Sequence, residues 1–167
     1  MLFSRGGNMY SNSKGYLEDY SKDQALWLKF LIKKLILNNG NLELKKLEEA
    51  SSDVNDYYIV AKSVGSIISL IGIEKQIIKA KGIVILGLPL KYSQKNNINI
   101  NKLINTAIKE TKILVIQQKN DPIGNYQEVT KVLPTNIKAI EIPGNHHVYG
   151  NIKCIKTLVD NFFDIIA

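Results

Sequence analysis

The sequence feature that most constrains the fold is a series of short apolar runs, rich in β-branched residues, that show no polar alternation. They cover residues 57–61, 83–86 and 113–116, and residues 137–142 read as a last strand. Such runs are typical of strands in a parallel sheet whose two faces are both covered. The sequence therefore predicts an α/β fold, a parallel sheet with helices on both faces.

Helical patterns separate these strands, which is the alternation expected of a parallel sheet. Helices are predicted at residues 19–37, 42–47, 64–70, a short stretch between 70 and 83, 99–110, 126–133 and 152–166. Asn99 is the expected N-cap of its helix. A chain of 167 residues is long enough for one buried core and short for two. We expect a single domain over residues 1–167.

Composition and charge exclude several classes of function. The net charge is +7, but lysines are scattered along the whole chain and form no run longer than a pair. A nucleic-acid partner is not expected, because its footprint would cluster on one face. The most apolar helical stretch, residues 25–37, is interrupted by lysines, so we expect no membrane partner. With a single cysteine, Cys154, and no secretory signal, a cytoplasmic location is expected.

A sharp turn is predicted where the strand at residues 57–61 meets the helix that follows it. Ala61 and Gly65 stand two residues before and two residues after Ser63. Small residues are needed at both places, because strand and helix nearly touch around such a turn. This is the arrangement of a nucleophile elbow, which exposes a serine hydroxyl at the end of a sheet. The alternative is that Ser63 is only the N-cap of the helix and has no catalytic role.

Two further polar candidates follow strands of the same predicted sheet. Asp121 comes after the strand at residues 113–116, and His146 and His147 come after the strand at residues 137–142. The carboxyl ends of parallel strands meet at one edge, where functional groups collect. The chain order Ser, Asp, His is one of those in which a serine nucleophile, an acid and a base occur. Alone, Asp121 would read as a turn residue, and the histidines as loop residues or metal ligands. No Cys or acidic cluster accompanies them, so no metal is expected.

The span from Ser4 to Ala167 resembles the later part of an α/β-hydrolase, close to small bacterial hydrolases with a Lys-Ser-x-Gly elbow. Three matches carry the resemblance. They are Ala61-Lys62-Ser63-Val64-Gly65-Ser66, residues 114–123 around Asp121, and residues 142–149 around His147. Gln118 stands where a glycine is usual in the second of them. In the third, the family's histidine falls three residues after the glycine, which favours His147 over His146.

The resemblance implies a serine hydrolase acting on a small ester, thioester or related acyl bond, without a cofactor. Ser63 would attack the acyl carbonyl, His147 would act as general base and acid, and Asp121 would orient the imidazolium. The backbone N–H of Val64 would supply one donor of the oxyanion hole. A catalytically impaired remnant that acts as a binding module is the alternative. A flavodoxin-like or receiver-type domain would need an acidic cluster or a phosphate loop, and the sequence shows neither.

The resemblance also implies that the chain starts late in the fold. Residues 1–7 resemble the end of the family's fourth strand, so the earlier strands and the loop with the second oxyanion donor would be missing. The amides of Gly6 and Gly7 are the substitutes that the sequence offers. Unless residues 1–4 pair with it, the strand at 57–61 would then be an open apolar edge. We therefore expect a homodimer through that edge, or poor solubility.

Overall fold

The computed structural model describes residues 2–5, 26–27, 40–52 and 56–167 of the chain. Its described strands form one six-stranded sheet, in the order β2-β1-β3-β4-β5-β6, and every neighbouring pair is parallel. The strands are β1 (Leu2–Arg5), β2 (Leu26–Trp27), β3 (Tyr58–Lys62), β4 (Gly82–Leu86), β5 (Lys112–Gln118) and β6 (Lys138–Ile142). The predicted α/β class is confirmed.

The described helices follow the strands as the sequence indicates. They are α1 (Gly40–Ser51), α2 (Val64–Glu74), α3 (Leu90–Lys95), α4 (Ile100–Ala107), α5 (Tyr126–Val132) and α6 (Ile152–Ile166). Asn99 is the N-cap of α4, as predicted, because its side-chain oxygen accepts a 2.9 Å hydrogen bond from the Lys102 N–H. In the part of the chain that the structure describes, no helix is long and apolar enough to cross a bilayer.

The sheet separates two hydrophobic cores, because successive side chains of a strand point to opposite faces. On one face, Ile83 and Ile85 of β4 pack with α2 and α4. On the other face, Val84 and Leu86 of the same strand pack with α6. Buried positions therefore fill both faces of β4, which explains why its sequence has no polar alternation.

Two helix predictions need correction. Leu26 and Trp27 lie within the predicted helix at 19–37 but form β2, which pairs with Leu2 and Phe3 of β1. Pairing with a neighbouring strand here overrides the local helical pattern. The rest of that prediction lies outside the described residues. The short helix predicted between residues 70 and 83 is not found; α2 continues to Glu74 and a turn follows.

The position of β1 decides whether the strand that leads to Ser63 is an open edge. Leu2–Arg5 pairs with β3 along its whole length, with Arg5 opposite Lys62. Residues 2–5 thus pair with this strand, which is the case in which no open edge was expected. The strand that leads to Ser63 is therefore paired on both sides, by β1 and β4. The open edge on which the expected homodimer depended is closed, and the oligomeric state stays a prediction.

Candidate active site

Ser63, Asp121 and His147 all lie at the carboxyl edge of the sheet. Ser63 directly follows β3, Asp121 follows β5, and His147 lies beyond β6. The strand ends are aligned, since Lys62 pairs with Leu86 and Leu86 pairs with Ile116. The parallel register therefore brings residues that are far apart in the chain to one edge.

Ser63 adopts a backbone conformation that residues other than glycine rarely adopt. Its φ is 54° and its ψ is −128°, between the last residue of β3 and the first of α2. A non-glycine residue in such a conformation stores on the order of 1–3 kcal/mol of strain, and strain of this kind concentrates at functional sites. The Ser63 side chain makes no capping hydrogen bond to α2. The helix-cap alternative is thus not supported, and the hydroxyl is left available.

The turn around Ser63 is fixed by hydrogen bonds of its neighbours. The Ser63 N–H donates to the Leu86 carbonyl at 3.0 Å, which ties the turn to β4. Ser66 donates from its N–H to the Ser63 carbonyl at 2.9 Å and from its hydroxyl to the Ala61 carbonyl at 3.2 Å. Ser66 is fully buried, so these bonds are shielded from water. These bonds hold a strand-to-helix turn at Ser63, and its role as a nucleophile elbow stays a prediction.

Val64 is the first residue of α2. The first N–H groups of an α-helix have no intrahelical acceptor, and the helix dipole places partial positive charge there. An oxygen that gains negative charge beside Ser63 would be stabilised by such a group. The position of Val64 is therefore suitable for an oxyanion donor.

Asp121 is buried, and its carboxylate is fully paired by three donors. Its Oδ1 accepts from the Ile123 N–H at 2.9 Å, and its Oδ2 contacts His147 Nδ1 at 2.7 Å and accepts from the Tyr149 hydroxyl at 3.0 Å. Burial by itself raises the pKa of this carboxyl. The bonds from His147, Ile123 and Tyr149 and the attraction of His147 outweigh burial, so the pKa of Asp121 is lowered from its ordinary value. Asp121 is consequently ionised at neutral pH.

His147 presents one ring nitrogen to Asp121 and leaves the other without a partner. Because the Asp121 carboxylate only accepts, Nδ1 must carry the hydrogen of their bond, which assigns the tautomer. In the neutral ring Nε2 then holds a lone pair. Among the described residues, Nε2 is buried and has no hydrogen-bond partner. The residue also has a positive φ of 56°, so its placement is maintained by its surroundings.

Leu86 bonds Ser63, and the next residue, Gly87, lies beside His147. Leu86 accepts the Ser63 N–H, and a Cβ placed on Gly87 would lie 2.9 Å from His147 Cε1. Gly87 also has a positive φ of 67°. The two side chains make no direct hydrogen bond in the described structure. Such bonds are often long in unliganded enzymes and shorten when substrate binds.

His146 is oriented differently from its neighbour. It is exposed, and its Nδ1 accepts the Val148 N–H at 3.1 Å, so the ring closes a local turn. The structure thus brings His147, and not His146, to Asp121. Within the described ranges, no group of three or more His, Cys, Asp or Glu side chains could hold a metal ion.

Tyr149 is a member of the site to which the sequence assigned no chemistry. Its hydroxyl donates to Asp121 and accepts the Gln118 N–H at 3.1 Å. Burial is the main cause that raises the pKa of Tyr149, and the Asp121 charge adds to it, so the phenol keeps its proton. A tyrosine two residues after the histidine is visible in the sequence. No local pattern, however, says which carboxylate it reaches.

Comparison with protein families gives one match, to the model described as an alpha/beta hydrolase domain. The match covers residues 34–161, which is most of the chain and includes Ser63, Asp121 and His147. No curated protein sequence matches the chain significantly.

Solved structures share this fold at low sequence identity. Alpha/beta hydrolase domain-containing protein 10 from mouse is 14% identical, with a TM-score of 0.65 over 99% of this chain and 90% of the mouse chain. Naproxen esterase from Bacillus subtilis is 12% identical, with a TM-score of 0.53 over 72% of this chain. This chain spans 66% of the esterase, slightly less than two thirds. The RedJ thioesterase of prodiginine biosynthesis from Streptomyces coelicolor is 12% identical, with a TM-score of 0.59 over 94% of this chain and 82% of the thioesterase.

Proposed function

Since the chain belongs to the alpha/beta hydrolase family, we propose that it is a serine hydrolase of a small ester, thioester or related acyl bond. The observation that carries the proposal is the buried contact of 2.7 Å between His147 and Asp121, which leaves the opposite ring nitrogen free. A general base needs this arrangement, because the acid fixes the tautomer and supports the imidazolium. The esterase and the thioesterase among the structural neighbours fit the same class of acyl substrate.

The first half of the proposed reaction forms an acyl-enzyme. The Ser63 hydroxyl attacks the acyl carbonyl while His147 Nε2 takes its proton. The carbonyl oxygen becomes an oxyanion beside the Val64 N–H, a type of contact that contributes about 3 kcal/mol to lowering the barrier. When the tetrahedral intermediate collapses, the bond to the alcohol or thiol breaks and His147 returns the proton to the leaving group.

The second half releases the acid. Water replaces the leaving group, loses a proton to His147 Nε2 and attacks the acyl-enzyme, and the Ser63 oxygen then receives that proton as the product departs. Asp121 stays ionised throughout and stabilises the imidazolium each time it forms. No cofactor takes part in this reaction.

A second oxyanion donor is expected from the chain that follows β1. Arg5 lies opposite Lys62, and the next residues in the sequence are Gly6 and Gly7, which lie outside the described residues. Position in the register supports an amide of this segment as the donor, because β1 ends at the same edge as β3. Gly6→Pro removes one such N–H, and Gly7→Pro removes the other.

The segment after β4 supports a small or flexible substrate. Residues 89–98 contain only the six-residue helix α3, in which Leu90 and Ser93 are buried against the core. A segment of this size does not form a cap domain over Ser63.

The single cysteine, Cys154, is exposed on α6, and a cytoplasmic location remains our proposal from the cysteine content.

Hydrolysis of p-nitrophenyl acetate and of a short acyl thioester tests the proposed activity. Ser63→Ala should abolish turnover of both while circular dichroism and the melting temperature show a folded protein. Ser93→Ala is the matched control, because Ser93 is also a buried serine, but it lies in α3 and its hydroxyl donates to the Pro89 carbonyl. Equal turnover by Ser63→Ala and wild type would exclude Ser63 as the nucleophile. A folded wild type without turnover would favour the non-catalytic alternative.

A further inference from the structure

Gln118, the last residue of β5, reaches into the histidine loop, which we define as residues 143–149. Its side-chain Oε1 accepts from the His147 N–H at 3.1 Å and from the His146 N–H at 3.4 Å. Its Nε2 donates to the Val148 carbonyl at 2.7 Å. Gln118 is only 2% exposed, so its own end of these part-buried bonds is shielded from water.

The histidine loop has little other support from the backbone. Positions 145–149 form no backbone–backbone hydrogen bond with one another or with any other described residue. His147 nevertheless keeps a positive φ of 56°. A strained residue persists only where its surroundings determine it. In this loop, the side-chain amide of Gln118 bonds the backbone N–H and C=O groups, as a neighbouring strand does in a sheet.

Gly144 is the counterpart of Gln118 in this contact. A Cβ at position 144 would overlap the side-chain amide of Gln118, and the φ of Gly144 is +147°. The absence of a side chain at 144 therefore lets the long Gln118 side chain lie across the loop. A glycine at position 118, as is usual in the resembling hydrolases, would leave this space empty and the three loop groups without their partner.

We propose that Gln118 is a positioning residue that holds the His147 backbone so that the ring reaches Asp121 and faces Ser63. The inference rests on the proposed function for its effect on catalysis, but its structural part is independent of activity. Its backbone N–H, which donates to the Tyr149 hydroxyl, ties the same residue to the far end of the loop.

Paired variants of neighbouring glutamines separate positioning from general stability. Gln118→Met keeps the length of the side chain and removes its hydrogen bonds. Gln117→Met is the matched control, because Gln117 is also fully buried but bonds the Leu88 N–H and the Gly124 carbonyl. Gln118→Gly is the second variant, since it introduces no new atom into the contact and the resembling family carries glycine there.

The first readout is the proton on His147 Nδ1. The chain has two histidines, so ¹⁵N-histidine labelling gives a spectrum that His146→Ala assigns. Wild type should show the far-downfield proton of an aspartate-bound imidazole. We expect Gln118→Met and Gln118→Gly to lose or broaden this signal. Gln117→Met should keep the signal, although the folded state of this variant is less stable than that of wild type. A sharp, unshifted signal in both Gln118 variants would overturn the proposal.

The second readout is catalytic. Misplacement of a catalytic group by about 1 Å can cost on the order of 100-fold in rate, so Gln118→Met should lower kcat by about that factor and leave KM within about twofold. Gln117→Met should lower kcat much less. A Gln118→Met enzyme with unchanged kcat would contradict the inference. If wild type shows no Ser63-dependent turnover, the proposed function fails, and the His147 proton signal still decides the positioning role.

Discussion

The turn at Ser63 and the histidine loop meet at one edge of the sheet, but different parts of the chain hold them. The turn is closed locally, by Ser66 bonding to the carbonyls of Ala61 and Ser63. The histidine loop is held by side-chain contacts between residues 26 to 31 positions apart, from Gln118 and Asp121. The nucleophile side is thus specified by a few adjacent residues, and the base side depends on distant ones.

This difference indicates how each part should respond to mutation. Changes in α5 or β6 should leave the Ser63 turn intact, because its bonds run to its own neighbours and to Leu86 of β4. The base side should be damaged by substitutions in several elements. The predictions that follow test this contrast, and each is measured as kcat on p-nitrophenyl acetate unless stated otherwise.

The largest effect is expected at His147. Removal of the base from a serine hydrolase costs on the order of 10⁴- to 10⁶-fold in kcat. We expect this loss for His147→Ala, with little change in the melting temperature. His146→Ala is the matched control and should keep activity within about threefold, since the His146 ring accepts the Val148 N–H and does not bond Asp121. A larger loss in His146→Ala than in His147→Ala would reverse the assignment of the two histidines.

Asp121→Asn should come next, with a loss of about 10⁴-fold in kcat. The asparagine keeps the size of the side chain, but an NH₂ facing His147 Nδ1 favours the wrong tautomer. The loss should appear without a rise in KM. Retention of more than a tenth of the activity would show that the contact of 2.7 Å between Asp121 and His147 does not determine the base.

Gly87→Ala should affect the base side through steric overlap and through the strained backbone conformation at position 87. The added Cβ would lie 2.7 Å from Tyr149 Cε2 and 2.9 Å from His147 Cε1, at a φ of +67°. We expect a loss of about 1–3 kcal/mol in the free energy of unfolding from the backbone conformation. His147 must shift as well, so kcat should fall on the order of 100-fold. Gly150→Ala is the control, because an added Cβ there meets nothing within 4 Å.

Tyr149→Phe should have a smaller effect on activity than on stability. Asp121 keeps its bonds from His147 and Ile123, so kcat should fall by only about tenfold. The buried Gln118 N–H loses its acceptor, which costs about 1–3 kcal/mol in urea unfolding. An unchanged free energy of unfolding would indicate that the hydroxyl is not part of the support of the loop. Tyr126→Phe is a suitable control, since its hydroxyl contacts the Ala139 carbonyl at 3.4 Å.

The smallest effect is a pH dependence of stability. The pKa of Asp121 is lowered in the folded protein, so its contribution is present above the unfolded pKa and is lost as the pH falls through the folded one. The free energy of unfolding of wild type, measured with urea, should therefore fall as the pH is lowered through and below the ordinary range of a carboxyl group, and Asp121→Asn should reduce the slope of this dependence. Equal slopes would show that the carboxylate is not stabilised as its contacts indicate.

The sequence predicted most of the sheet from local patterns, and it proposed Ser63, Asp121 and His147 from their positions after strands, their chain order and the family resemblance. The apolar runs, the Asn99 cap and the small residues around Ser63 are all readable within a few positions. The strand at Leu26 and Trp27 was missed, because its pairing partner is β1, far away in the chain. From the sequence, Gln118 was noted only as a departure from the family pattern, in which a glycine is usual at this position. Only the structure relates it to Gly144 and to the backbone of the histidine loop.

The most direct test of the central claim is covalent labelling of wild type by a fluorophosphonate probe, followed by intact mass and peptide mapping. We expect a single adduct per chain, on Ser63, which disappears in Ser63→Ala and forms far more slowly in His147→Ala. Folded wild type that gains no adduct, or an adduct that persists in Ser63→Ala, would contradict it.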